Sequence, residues 1–231
     1  MAANQNDHVL DNLCWYALTS HHAPFASGMA LAKRYPPEMW DQSALADHSD
    51  AAFRDLHRIT PVGEITVLFE ANPPQAMPDW SIHNILKVDQ LICQQRVPEP
   101  EHVVEITDLT ASDLPEILRL IDLTLPGTFF PRTIEMGRHI GIRKEGQLIA
   151  MAGERVHALG YCEISAVCTH PDWRGRGYAR LLCSLLVNGI WDRGEVPFLH
   201  VFPDNMLAYR LYEGLHFTKR SDMTPIFMSH L

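Results

Sequence analysis

The chain is poor in the features that mark several protein classes. Of its 231 residues, 19 are Lys or Arg against 28 Asp or Glu, giving a formal net charge of −9. A nucleic-acid binder needs clustered basic residues to displace counterions, so that class is excluded. The five cysteines (Cys14, Cys93, Cys162, Cys168 and Cys183) are odd in number and form no CxxC pair. They lack the even, close spacing of a small secreted disulfide domain. No apolar run approaches the roughly 18 residues needed to span a bilayer. The longest candidate, Leu181 to Ile190, is broken by Ser184 and Asn188. The opening MAANQNDHVLDN has no basic-then-apolar signal pattern. The expectation is a soluble, cytoplasmic protein with no nucleic-acid or membrane partner.

What is present is an ordinary globular composition, 46% hydrophobic and 20% charged, able to bury a real core. At roughly 150 residues per domain, the length allows one or two domains. In QQRVPEPEHVVE, Pro98 and Pro100 fix φ and remove two backbone donors, which suits a linker. A boundary near Pro100 therefore separates residues 1–99 from residues 100–231.

Before the boundary, Asn12 to Ala17 and Ala51 to Ile59 are expected to be helical, with Phe53, Leu56 and Ile59 on one face of the second. ITVLFE (65–70) reads as a strand and NPPQAMPDW as a loop. No motif in this half carries recognisable chemistry.

After it, strands and helices alternate. Val103 to Ile106 is expected as a strand, and Ser112 as the cap of a helix running to Leu123. Ile140–Arg143 and Gln147–Val156 form a strand pair around Glu145-Gly146. Glu163–Cys168 is a strand, Gly177–Trp191 a helix with a wide leucine stripe, and Phe198–Phe202 a buried strand. Asn205 opens a helix that ends near Gly214, a residue suited to a left-handed cap. Phe217 and Thr224–Met228 add strands. Alternation of this kind gives an α/β sheet, mixed because the 140–156 pair is a hairpin.

The informative stretch is EISAVCTHPDWRGRGYARLLCSLL, a strand, then a loop with R-G-R-G-Y-A (Arg174 to Ala179), then a helix. Two glycines let backbone approach a ligand without a Cβ between them. The first amides of the following helix lack partners and, with the dipole, make an anion site beside Arg174 and Arg176. A P-loop is excluded because no Lys-Ser or Lys-Thr follows the glycines. A Rossmann turn is disfavoured because Arg180 stands at the third glycine position, although Asp204 partly matches the ribose-binding acid.

V-C-T-H-P-D-W-R-G-R-G-Y-A resembles the acetyl-CoA-binding motif of the GNAT superfamily of N-acetyltransferases, R/Q-x-x-G-x-G/A opening a helix. Arg174, Gly177 and Ala179 sit at the spacing positions, with Gly175 as an additional glycine. The run N-x-x-A-x-x-L-Y-E-x-L-x-F, from Asn205 to Phe217, is similar to the family's second conserved segment. The resemblance covers about residues 103–230 and implies a mixed, mostly antiparallel twisted sheet with a splayed parallel strand pair and flanking helices. The N-terminal α/β region is a candidate degenerate copy of that fold, since ITVLFE before Asn-Pro-Pro echoes FLHVF before Pro-Asp-Asn. Its layout is similar to that of glycine N-acyltransferase-like proteins.

The resemblance further implies acetyl-CoA as acyl donor. Its pantetheine would lie along the backbone of Val167, Cys168 and Thr169 as if it were a strand. Its pyrophosphate would be held by the amides of Arg174, Gly175, Arg176, Gly177, Tyr178 and Ala179. Asn205 would contact the pantetheine, or serve as an ordinary helix N-cap. Tyr212 matches the general-acid position, with core packing as the alternative and Tyr209 as a weaker candidate. Glu163, placed by alternation on the face of Ser165 and Val167, is the candidate base. Glu154 is the other candidate, and a salt bridge of Glu163 to Arg155 or Arg143 the other explanation. The oxyanion would be held by a backbone amide of 165–168. Cys168 is weighed as a nucleophile against a small buried thiol.

No HExxH or CxxC accompanies any of the 13 histidines, so no metal is expected. The expected acceptor is a small-molecule or amino-acid-like primary amine, with a protein amine and a homodimer as further options. Two rival functions remain open from the residues alone: a non-catalytic acyl-CoA-binding regulatory module, and a nicotinamide enzyme dependent on Asp204.

Overall fold

The computed structural model describes residues 8–77, 79–98 and 104–230. Among them, in chain order, are helix α1 (Leu13–Leu18) and strands β1 (Ser27–Gly28), β2 (Ala32–Arg34) and β3 (Gln42–Leu45). Helix α2 (Asp50–Ile59) leads to β4 (Thr66–Glu70), β5 (Trp80–Ile85) and β6 (Val88–Cys93). Next come β7 (Thr107–Leu109), α3 (Leu114–Thr124), β8 (His139–Lys144), β9 (Gln147–Ala158) and β10 (Tyr161–Thr169). The chain closes with α4 (Tyr178–Asp192), β11 (Val196–Val201), α5 (Met206–Glu213) and β12 (Phe217–His230).

The strands join in one twelve-stranded sheet, ordered β1-β2-β3-β4-β12-β6-β11-β10-β9-β8-β7, with β5 paired to β12 off that path. Only β3–β4 and β10–β11 are parallel; the other described pairs are antiparallel, as a mixed sheet requires. The long β12 bonds β4, β5 and β6, and β6 fills the place between β12 and β11. Each parallel pair is thus continued by a strand from the opposite half of the chain.

Several elements differ from expectation. The strand expected at Val103–Ile106 appears at Thr107–Leu109, and Val103 lies outside the described residues. Thr110 and Asp113, not Ser112, form the capping box before α3. Gly214 is right-handed, and the left-handed turn after α5 falls on His216 (φ 64°). A Cβ at Gly214 would displace only the movable Arg180 guanidinium and stand 3.2 Å from the Arg210 carbonyl oxygen. The two strands expected near the C-terminus are one continuous strand, β12.

Of four apolar clusters, the two largest flank the sheet. On one face α4 lays Leu182, Leu186, Val187 and Ile190 on Ile140, Ala152, Cys162, Ile164 and Leu199, joined by Tyr212 and Phe217. On the other, α1 and the segment 35–44 cover Val156, Ala158, Phe198 and Met223. Burying that apolar surface, at about 25 cal/mol per Å², is what joins the two halves of the chain.

Candidate active site

The β10–β11 ladder is short. Tyr161 pairs with Val196, Cys162 with Pro197 and Glu163 with Phe198, and there it ends. Beyond that rung, β10 continues paired only to β9, and β11 only to β6, among the described residues. The two parallel strands splay as expected. A β-bulge reinforces the departure: Ser165 opposes Gly153 and Cys168 opposes Met151, so Ala166 and Val167 share one partner position. Ala166 takes φ 53°, a left-handed conformation that a non-glycine residue adopts at a cost.

The bulge also corrects an expectation drawn from alternation. Glu163, Ser165 and Val167 do not share a face. Val167 packs with the α4 cluster, whereas Glu163 bonds Arg155 and His200, whose rings and stems meet Trp40 and Phe69.

At the open end lies the glycine loop. Gly175 (φ 75°) and Gly177 (φ 80°) both need the left-handed region, and a Cβ at either would meet nothing within 4 Å. Gly177 is the N-cap of α4 and has no side chain to satisfy it. No described residue accepts a hydrogen bond from the N–H groups of residues 175–180. Six consecutive amides, the last of them in the first turn of α4 at the positive end of its dipole, are thus left without an acceptor among the described residues. The Arg176 guanidinium lies 4.6 Å over the Trp173 ring, and Arg174 Nε donates to the Thr169 carbonyl at 3.2 Å. Neither arginine has a carboxylate partner among the described residues, so both charges are available to an anion. A diphosphate fits this cradle in charge, in donors and in backbone clearance.

Asn205 caps α5, its Oδ1 accepting from Ala208 N at 3.2 Å, which leaves the amide group of the same side chain facing outward. Tyr212 is buried against Phe217, with ring centroids 5.8 Å apart. Burial pushes its hydroxyl pKa far up, so it stays protonated, and its oxygen makes no hydrogen bond among the described residues. Tyr209 is placed differently: burial and its bond to Asp89 raise it to about 12, and that bond occupies the hydroxyl. Thr169 lines the open stretch with a buried Oγ1 that has no partner among the described residues. Cys168 sits in the α3 cluster, and burial pushes its thiol up to about 11, so it is no ready thiolate.

Glu163 is 1% exposed and closes the apex of the splay. Arg155 grips it with two bonds of 2.9 and 2.7 Å, and His200 Nδ1 lies 2.8 Å away. Burial alone would raise its pKa, but the Arg155 charge and hydrogen bonds, together with His200, hold it down at about 2. The Arg155 salt bridge weighed from sequence is present; the Arg143 one is not, since Arg143 pairs with Asp113 and Glu116. Glu154 belongs to a different group at the closed end, bonded to Arg193 and near His157.

Sequence reasoning missed His200, on β11, and Gln90, on β6, whose side-chain nitrogen lies 3.0 Å from His200 Nε2. Gln90 in turn meets Arg220, which bonds Asp11. The only available signal was a histidine inside the apolar strand FLHVF, where a polar side chain must find a buried partner.

A family profile described as FR47-like protein matches residues 139–225. Among solved structures, one described as a GNAT-family acetyltransferase from Novosphingobium aromaticivorans superposes with TM-score 0.88 at 32% identity, over 97% of this chain and 100% of that one. A GCN5-related N-acetyltransferase from Kribbella flavida gives TM-score 0.65 at 15% identity, over 96% of this chain and 95% of that one. A GNAT-family acetyltransferase from Colwellia psychrerythraea gives 0.55 at 11%, over 96% and 98%. The last two show the fold alone. No curated protein matches this sequence. No helix among the described residues is long and apolar enough to cross a membrane. With the splayed pair, the open amide cradle and a full-length relative of 32% identity agreeing, the chain belongs to the GNAT family of acetyltransferases, enzymes that draw on an acyl-CoA donor.

Proposed function

We propose that this chain transfers an acetyl or other short acyl group from acyl-CoA to a primary amine by direct attack within a ternary complex. The observation that carries the reading is the ladder that stops at Glu163 and Phe198 beside six unbonded amides. The amides of residues 175–180 hold the diphosphate; Arg174, expected to add its own amide, spends that N–H on the Pro171 carbonyl and contributes only its side-chain charge. The open edge at Val167, Cys168 and Thr169 offers backbone groups to the pantetheine. Asn205 contacts the same arm through its free amide. A thiolate leaves with a pKa near 8.5, so a protonated phenol beside it is an adequate acid, and Tyr212 is given that role. Backbone amides of the bulge at 165–168 are given the oxyanion.

Glu163 enters this reading as a positioning residue rather than as the free base first expected. Bonded to Arg155 through both oxygens and to His200 through one, and held at about 2, it is too weak a base to take a proton from an ammonium. It holds the proton on His200 Nδ1 and leaves Nε2 bare, accepting from Gln90. His200 is the group we assign to collect the ammonium proton, through water, at Nε2, which must first give up its bond from Gln90. Residues 1–99 are read as the acceptor side of the site, because Trp40 and Phe69 cover Arg155 and His200. A small amine or amino-acid-like acceptor suits so covered a face.

Initial rates of thiol release, measured while acetyl-CoA and an amine from a broad panel are varied together, test the reading. Intersecting double-reciprocal lines are expected. Parallel lines would indicate a covalent acyl-enzyme, and acetyl-CoA binding without thiol release for any amine would favour the regulatory-module alternative.

A further inference from the structure

A second constellation lies at the closed end of β10–β11, and sequence spacing hides it. Glu154 and His157 are on β9, and the hairpin register places Cys162 of β10 directly across from His157. Glu154 and Cys162 are buried and His157 is half-buried. One donor atom from each of the three lies within 4.8 Å of the others. His157 Nε2 is 3.5 Å from Cys162 Sγ and 3.5 Å from Glu154 Oε2. A tetrahedral zinc ion, with bonds of about 2.0 Å to nitrogen or oxygen and about 2.3 Å to sulfur, separates its ligands by roughly 3.3–3.6 Å. Two edges of such a site are already formed.

The surrounding groups orient these donors. Glu195 Oε1 lies 3.3 Å from His157 Nδ1 and accepts the proton of that nitrogen, which turns Nε2 toward Glu154 and Cys162. In the metal-free chain burial alone would lower the imidazole pKa, but the two carboxylates raise it to about 9, so a metal would have to displace the Nε2 proton. Arg193 bonds the other oxygen of Glu154, Oε1, at 2.9 Å, which leaves Oε2 toward His157. The rings of His21 and His22 stand 6.2 and 5.9 Å from that of His157. A thiol, an imidazole and a carboxylate select zinc over magnesium or calcium, which take oxygen alone.

We propose that Glu154, His157 and Cys162 form a zinc site, completed by one water. The site pins the β9–β10 hairpin one residue before Glu163, where the parallel ladder ends. On binding, Cys162 releases its thiol proton to solvent, and any proton on His157 Nε2 leaves with it. The rival account is a charge-balanced network of Glu154, Glu195, Arg193 and protonated His157 that needs no metal.

Cobalt(II), titrated into chelator-treated full-length protein, separates the two. The expected result is one equivalent bound per chain, with a thiolate-to-cobalt charge-transfer band, and displacement of the cobalt by zinc. In Cys162→Ser the band disappears. Glu195→Gln should weaken cobalt binding about 10- to 100-fold, as loss of an orienting carboxylate does. Retained acetyl-CoA binding by both variants shows that they are folded. Absence of the band in the parent protein, or its persistence in Cys162→Ser, would overturn the site and leave the ion-pair network.

Discussion

Residues 42–70 and 161–201 are built alike: a strand, a helix, and a second strand parallel to the first. They differ at the helix N-terminus. Before α2, Ser49 Oγ accepts from Ala52 N at 3.3 Å and Asp47 Oδ1 from Ser49 N at 2.9 Å, so the first crossover binds its own amides. Before α4, Gly177 stands where a capping side chain would be, and the amides of residues 175–180 have no acceptor among the described residues. The electrostatics differ in the same sense, with Asp47 at the first turn and Arg174 and Arg176 at the second. After β11 comes α5 with Tyr212; after β4 comes a loop with Pro73 and Pro74. An anion site thus arises where one of two similar crossovers leaves its helix end open.

The largest effect should come from closing the open end. Gly177→Glu places bulk and negative charge in the cradle, and calorimetry should pass from one acetyl-CoA bound per chain to none detectable. Unchanged affinity would show that the diphosphate lies elsewhere, and two equivalents in the parent chain would mean that both crossovers bind. Next, Tyr212→Phe should lower turnover by roughly 10² to 10⁴ while acetyl-CoA affinity holds, because only the acid is removed. An unaltered rate would leave Tyr212 as a packing residue against Phe217.

Smaller effects test the closed crossover. Ser49→Ala should cost about 1 kcal/mol in denaturant unfolding, the usual loss of a helix cap, with no change in acetyl-CoA affinity. A loss of affinity would link the two crossovers in a way the geometry does not. The weakest effect is a pH dependence. His48 Nε2 meets Glu70 at 2.6 Å, and that hydrogen bond raises the imidazole pKa above 6.5. Its contribution is present in full below pH 6.5 and fades as pH rises through the folded value. Being part-exposed, the pair should contribute only some tenths of a kcal/mol. His48→Ala should flatten that slope of stability against pH; an unchanged slope would assign it to another group.

Much of the second crossover was legible because its signals are local. The RGRGYA loop, the leucine stripe of α4 and the Asn205 cap are each read within a few residues, and each lies where the pattern puts it. The first crossover carries the same architecture without a ligand motif, so only α2 and β4 stood out there. β6 was not seen, although it bonds both β11 and β12, because its neighbours come from the far end of the chain. Contacts of that separation leave no local period. The same holds for the apex, where Glu163 was visible as a charge on a central strand but His200, Gln90 and Arg220 meet it only through the sheet. The bulge at Ala166 defeated alternation for a different reason: one added residue reverses the face of everything after it.

The most direct measurement is backbone amide hydrogen exchange, with and without acetyl-CoA. Residues 175–180 should exchange rapidly in the free protein and slow at least tenfold on binding, together with 167–169, while residues 49–52 stay unchanged. Equal exchange at 175–180 in both states, or protection at 49–52 instead, would contradict the assignment of the open helix end as the donor's anchor.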